Sequence, residues 1–208
     1  MPRERRRHLN MIRDFEVADL VTLANGFSGM AAVLLAMRYV AEADRAAMWV
    51  AFALLPLAFI FDSLDGYIAR RLGRQSILGQ ELDSLADLVS FGVAPAALAF
   101  ALGMDGGWDG AVLVYFVGCG IGRLARFNTT AAELSGPQGK VSHFEGTPIP
   151  SSLALVVMLA ALFGTGNVGD SLPLRELTIG PWRLHPLVLL WALSGSAMIS
   201  KTLRIPKP

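Results

Sequence analysis

Four aspartates stand in two spaced pairs between residues 62 and 87: Asp62 and Asp65 are three apart, Asp83 and Asp87 four apart. On an α-helix either spacing puts both carboxylates on one face, with about 4.5 to 6 Å of axial rise between them. Each pair can therefore aim at a single point. The flanks make this informative, because Ala46 to Phe61 before the pairs and Leu88 to Met104 after them carry no charged residue. Both flanks read as membrane-spanning. A charged residue at mid-bilayer costs about 2.5 to 3.5 kcal/mol on insertion scales, so acids at a membrane edge need a compensating partner. With no Cys or His among them, the donors suit a hard divalent cation such as Mg²⁺ or Mn²⁺. Two such ions can clamp the attacking and leaving oxygens of a phosphoryl transfer.

The residues between the acids are as regular as the acids themselves. Asp62, Asp65, Gly66, Ala69, Arg70, Gly79, Asp83 and Asp87 meet the spacing D-x2-D-G-x2-A-R-x8-G-x3-D-x3-D without a gap. A solvated acidic hairpin would not need Gly66 and Ala69 interleaved with its acids. The stretch resembles the signature of the CDP-alcohol phosphotransferases. That resemblance implies a reaction in which an alcohol attacks the β-phosphorus of a CDP-linked lipid and CMP leaves. It implies Asp62, Asp65 and Asp83 as metal ligands, with Asp87 shared between metal binding and proton abstraction, although spacing alone does not separate Asp83 from Asp87 as the base. Gly66 and Ala69 lack bulk where the cytidine and pyrophosphate approach the backbone, and Gly79 opens the start of the third span in the same way. Arg70 can neutralise a phosphate oxygen. With Asp62 these make the expected CDP-lipid-binding set.

Three later stretches bear on the acceptor: SFGVAPA (Ser90 to Ala96), RLARFN (Arg123 to Asn128) and FEGTPIP (Phe144 to Pro150). They resemble stretches of the membrane-integral phosphatidylserine synthase branch of that family and its archaeal archaetidylserine counterparts. L-Serine is then the implied acceptor, CDP-diacylglycerol or CDP-archaeol the implied donor, and a homodimer the implied assembly. Arg123 and Arg126, three apart at the end of the fourth span, suit the carboxylate of an amino acid, with Asn128 beside them. Glycerol 3-phosphate or an inositol phosphate would also want arginines. Outside the family, intramembrane acids can line a cation pathway in a transporter, but such acids are expected in mid-span or on several helices.

Composition sets the frame for all of this. The chain has 208 residues, 53% of them hydrophobic and 17% charged, with mean hydropathy +0.49, which is too apolar for an ordinary soluble domain. A net charge of +1 argues for neither nucleic acid nor an acidic partner. The single Cys119 excludes an intramolecular disulfide and reads as a packed thiol, and His143 has no second His or Cys at ligand spacing.

The elements that must position the acids follow from hydropathy. The sequence reads as an all-α integral membrane protein of one domain, residues 1–208, with an amphipathic cytoplasmic juxtamembrane helix over 1–19. Six transmembrane helices follow near 20–40, 46–70, 80–103, 109–127, 148–166 and 184–203. A signal peptide is disfavoured, since Leu20 to Met37 is a long uncharged run interrupted by Asn25, Gly26 and Gly29. Pro56 can kink the second span. Gly118 and Gly122 form a G-x-x-x-G that allows close helix approach on the fourth, and Trp108, Trp182 and Trp191 read as interface anchors. With the N-terminus cytoplasmic, 14 of the 18 Lys and Arg fall on one side, leaving Arg38, Arg45, Arg175 and Arg183 on the other. The positive-inside bias puts the aspartates at the cytoplasmic face.

Overall fold

The protein, as a computed structural model, is described over residues 16–72, 77–134, 143–200 and 204–206. The expected juxtamembrane helix lies almost wholly outside these residues; Val17 onward already belongs to the first long helix. The chain is an integral membrane protein built from helices. Helix α1 (Val17–Glu42) and helix α2 (Arg45–Leu72) form an antiparallel hairpin. Asp19 and Glu16 close a capping box at the start of α1. At its end Ala43 takes a left-handed conformation (φ 54°) and donates its N–H to the Tyr39 carbonyl at 2.8 Å. Asp44 immediately caps α2, its Oδ1 accepting from the N–H groups of Ala46 and Ala47 at 3.0 and 3.1 Å. Small buried residues, Ala32, Ala36, Ala47, Ala51 and Ala58, let helices approach closely in this part of the core.

The third span is not one regular helix. It starts as α3 (Ile77–Asp87), widens into a π-helical turn over Leu88–Val93, and resumes as α4 (Ala94–Ala101). The Ala94 N–H reaches the Val89 carbonyl, five residues back. Pro95 has no N–H to offer the preceding turn, and a wider turn is one way a helix absorbs a missing donor. Helix α5 (Gly107–Leu134) is the fourth span, and shorter helices α6 (Leu153–Gly164) and α7 (Leu189–Ile199) complete the bundle.

Among the described residues four helices are long and apolar enough to cross a membrane: Val17–Glu42, Arg45–Arg71, Ile77–Ala101 and Gly107–Thr129. The fifth and sixth expected spans are present as shorter apolar helices, Ile149–Gly164 and Pro186–Ile199. At about 1.5 Å per residue these fall short of the ~30 Å hydrocarbon thickness, which sets them apart from the first four.

Among the described residues two small antiparallel strand pairs close the ends. β2 (Leu177–Ile179) and β3 (Trp182–Leu184) form a hairpin turned at Gly180 (φ 63°). It is held to α5 by the Trp108 indole N–H donating to the Ile179 carbonyl at 3.0 Å and by edge-on contact of Trp108 with Trp182. Beneath it the buried Asp109 accepts from the N–H of Gly106 at 2.9 Å and from the N–H of His185 at 2.8 Å, and pairs with His185 Nδ1 at 2.6 Å. At the aspartate end, β1 (His143–Glu145) pairs with β4 (Arg204–Pro206), Phe144 opposite Ile205. Two expectations are corrected here. Trp191 is fully buried in α7 and belongs to the core, unlike the exposed Trp108 and Trp182. Gly118 and Gly122 meet nothing within 4 Å, so close approach on α5 uses its other side, where Gly120 faces Ile149 and Cys119 faces Gly195.

Candidate active site

The end of α2 carries Asp62 and Asp65, and α3 carries Asp83 and Asp87. Helix geometry turns the two spacings into two inward faces, and the packing of both helices on α1 brings them together. Carboxylate oxygens of Asp62, Asp83 and Asp87 lie within 4.8 Å of one another. Asp65, 5% exposed, stands beside this trio, and its Oδ2 accepts a hydrogen bond of 2.6 Å from the Thr22 hydroxyl. Asp87, 7% exposed, accepts from Asn25 Nδ2 at 3.1 Å.

Carboxylates this close repel one another strongly once water is excluded, so the arrangement needs positive charge. Part of it is in the chain. Arg123 on α5 is half-buried and lies near enough to Asp83 and Asp87 to interact with both. One guanidinium does not balance four acids. The donors are carboxylate oxygens without sulfur or imidazole, and three of them converge, which fits a hard divalent cation.

The remaining expected residues divide. Arg70 is exposed and folds back along its own helix: a side-chain carbon placed on Gly66 would come within 3.3 Å of its Nη1. Gly66 therefore first makes room for the Arg70 guanidinium, one turn from the acids. Ala69 and Gly79 are half-buried on the two helices that bear the acids. Arg126 is exposed. Asn128 is engaged with α3, accepting from the Ser84 hydroxyl at 3.1 Å and donating to Glu81 at 3.3 Å, and so helps tie α5 to α3. His143 Cα faces Pro206 across the β1–β4 pair. Of the FEGTPIP stretch, Gly146 (φ 76°) packs directly on the Met198 carbonyl and the Thr147 N–H donates to the Ala197 carbonyl at 3.2 Å, so this motif docks on the end of α7.

Sequence reasoning missed Thr22 and Asn25. Both are buried, and each bonds a signature aspartate. The available signal was a polar residue every third position along an apolar helix, Asp19, Thr22, Asn25 and Ser28, all of them buried. A hydropathy reading counts such residues as interruptions of a span. Their periodicity marks a face.

Comparison with known proteins supplies an independent line. The family described as CDP-alcohol phosphatidyltransferase matches residues 15–195. A CDP-diacylglycerol–serine O-phosphatidyltransferase of Saccharomyces cerevisiae is 45% identical over 206 residues, covering 97% of this chain and 74% of the relative. A protein of the same description from Methanocaldococcus jannaschii is 37% identical over 149 residues, 72% of this chain and 62% of the relative. An archaetidylserine synthase of Methanothermobacter thermautotrophicus is 37% identical over 152 residues, 71% of this chain and 58% of the relative. The chain thus spans about three-quarters of the yeast relative and about three-fifths of the archaeal ones.

Proposed function

The chain belongs to the CDP-alcohol phosphatidyltransferase family, and from that premise we propose that it transfers the phosphatidyl or archaetidyl group of a CDP-linked lipid to the hydroxyl of L-serine, releasing CMP. The observation that carries the reaction is the convergence of Asp62, Asp83 and Asp87, with Asp65 beside them. The serine acceptor draws support from the described activity of relatives up to 45% identical and from the RLARFN and FEGTPIP stretches.

Asp62, Asp65, Asp83 and Asp87 hold two divalent cations, Mg²⁺ or Mn²⁺. Bound there, the ions would neutralise the diphosphate and stabilise the leaving phosphate oxygen. The chain's own part is binding, orientation and proton transfer. Gly66, Ala69 and Gly79 leave space for the cytidine diphosphate, and Arg70 neutralises a phosphate oxygen at the rim. Arg123 meets the serine carboxylate, with Arg126 and Asn128 further along the same helix. Asp87 takes the hydroxyl proton as the serine oxygen bonds to the β-phosphorus and the bond from that phosphorus to the CMP oxygen breaks. The Lys and Arg distribution supports an active site at the cytoplasmic face of the cell membrane. Residues 1–208 act as one catalytic domain. The family resemblance supports a homodimer, and the open face at Gly118 and Gly122 offers a second copy a close approach.

The test is direct. Purified protein is given CDP-diacylglycerol or CDP-archaeol, Mg²⁺ or Mn²⁺, and in separate tubes L-serine, glycerol 3-phosphate or an inositol phosphate. Release of CMP with a serine-headed lipid, abolished by chelator and restored by the cation, is the expected result. CMP release with another acceptor only would keep the reaction class and overturn serine.

A further inference from the structure

Helix α1 contributes a polar face that the aspartate signature does not contain. Thr22 and Asn25 sit about one turn apart on it, 4% and 0% exposed. The Thr22 hydroxyl is 2.6 Å from Asp65 Oδ2 and 3.1 Å from the Ala18 carbonyl, so its one proton is better spent on the carboxylate. Asn25 donates through Nδ2 to Asp87 Oδ1, and its backbone carbonyl accepts from the Ser90 hydroxyl at 2.9 Å. Its own side-chain oxygen is buried without a hydrogen-bond partner. Leaving a buried amide oxygen unpaired is unfavourable, so the orientation of this amide is dictated by Asp87. Ser28, further along the helix, supplies the contrast: its hydroxyl bonds the Ala24 carbonyl of its own helix.

We infer that Thr22 and Asn25 are positioning residues of the carboxylate centre: each fixes one oxygen of a signature aspartate, Asp65 and Asp87 respectively, and thereby sets how the acid is presented to a divalent cation. The inference rests on the cation reading given above. Residues that hydrogen-bond a metal ligand from behind set its rotation and its basicity, and losing one weakens metal affinity or activity by about 10- to 100-fold. A merely structural role would alter the melting temperature and leave the affinity of the folded protein for the ion alone.

The experiment titrates full-length protein in detergent micelles with Mn²⁺ alone, reading free Mn²⁺ by electron paramagnetic resonance, beside a thermal melt of each variant. Thr22→Val and Asn25→Leu, which keep approximate volume and remove the donors, are expected to raise the Mn²⁺ Kd by about tenfold or more. Thr22→Ser, which keeps the hydroxyl, should stay near wild type, as should Ser28→Ala. Should Asn25→Leu fail to fold, Thr22→Val decides the question by itself, since it changes shape least. Folded Thr22→Val with a Mn²⁺ Kd within twofold of wild type overturns the inference and leaves the cation reading intact. Wild-type protein that binds no Mn²⁺ overturns that reading, and this inference with it.

Discussion

Asp65 and Asp87 each have one oxygen already committed to helix α1, to Thr22 and to Asn25 respectively. Replacing Asp62, Asp65 or Asp83 by Asn keeps the shape and removes one charge, so each should lower kcat for CMP release by at least about 10²-fold, the scale of one lost electrostatic contribution. The melting temperature should hold, since close carboxylates repel; wild-type turnover by Asp83→Asn would remove that residue from the centre. Arg123 and Arg126, equivalent by spacing, separate by position: Arg123 lies near Asp83 and Asp87, and Arg126 is exposed. Arg123→Lys is therefore expected to raise KM for serine by roughly tenfold, because lysine keeps the charge and loses the fork, and Arg126→Lys should do less. An equal rise in KM for the CDP-lipid would assign Arg123 to the diphosphate instead. The aspartates were legible because their spacing declares a shared face whatever surrounds it. Asn25 was not, because its meaning lies in a partner 62 residues away.

At the scale of elements, the contact between α1 and the π-helical turn sets the depth at which α3 presents its acids. Gly29 lies so close to Ser90 that a side-chain carbon there would fall 2.6 Å from the Ser90 Cα, a backbone atom that cannot swing aside. Gly29→Ala must push α1 away from the third span. It should cost about 1–3 kcal/mol, the usual toll of overpacking, and lengthen the Ser90 to Asn25 bond one turn away. A thermal melt unchanged from wild type would show that the helices have slack there. The SFGVAPA stretch is resolved by the same contact: Ser90 bonds α1, Phe91 is fully buried, and Pro95 follows the widened turn. Hydropathy announces the third span but not this turn, because a single extra residue per turn leaves the apolar content unchanged. The fifth and sixth helices show the converse, since their apolar runs were plain in the sequence while their shortness depended on where Pro186 and Gly164 let the helices begin and end.

For the whole molecule, the sidedness proposed from Lys and Arg has a consequence that labelling can read. On a Cys119→Ala background, cysteine at the exposed Gln80 should resist a membrane-impermeant maleimide in intact cells and react once the cells are opened. Cysteine at Leu174, 67% exposed near the β2–β3 hairpin, should react from outside. The reverse pattern would invert the topology and place the aspartates away from the cytoplasm. The two ends of the bundle also differ in kind. One holds four acids drawn from two helices, and the other a buried Asp109–His185 pair that fastens the segment after β3 to α5.

The bonds from α1 to the aspartates also impose an order of birth. Thr22 precedes Asp65 by 43 residues, and Asn25 precedes Asp87 by 62. At about 5–20 residues per second of synthesis, Asn25 is joined to the chain roughly 3–12 s before Asp87 is. During that interval Thr22 and Asn25 lack the acids that they later bond. Each acid then arrives opposite a donor that is already installed. The nascent chain thus lays down the donors to Asp65 and Asp87 before it makes those acids.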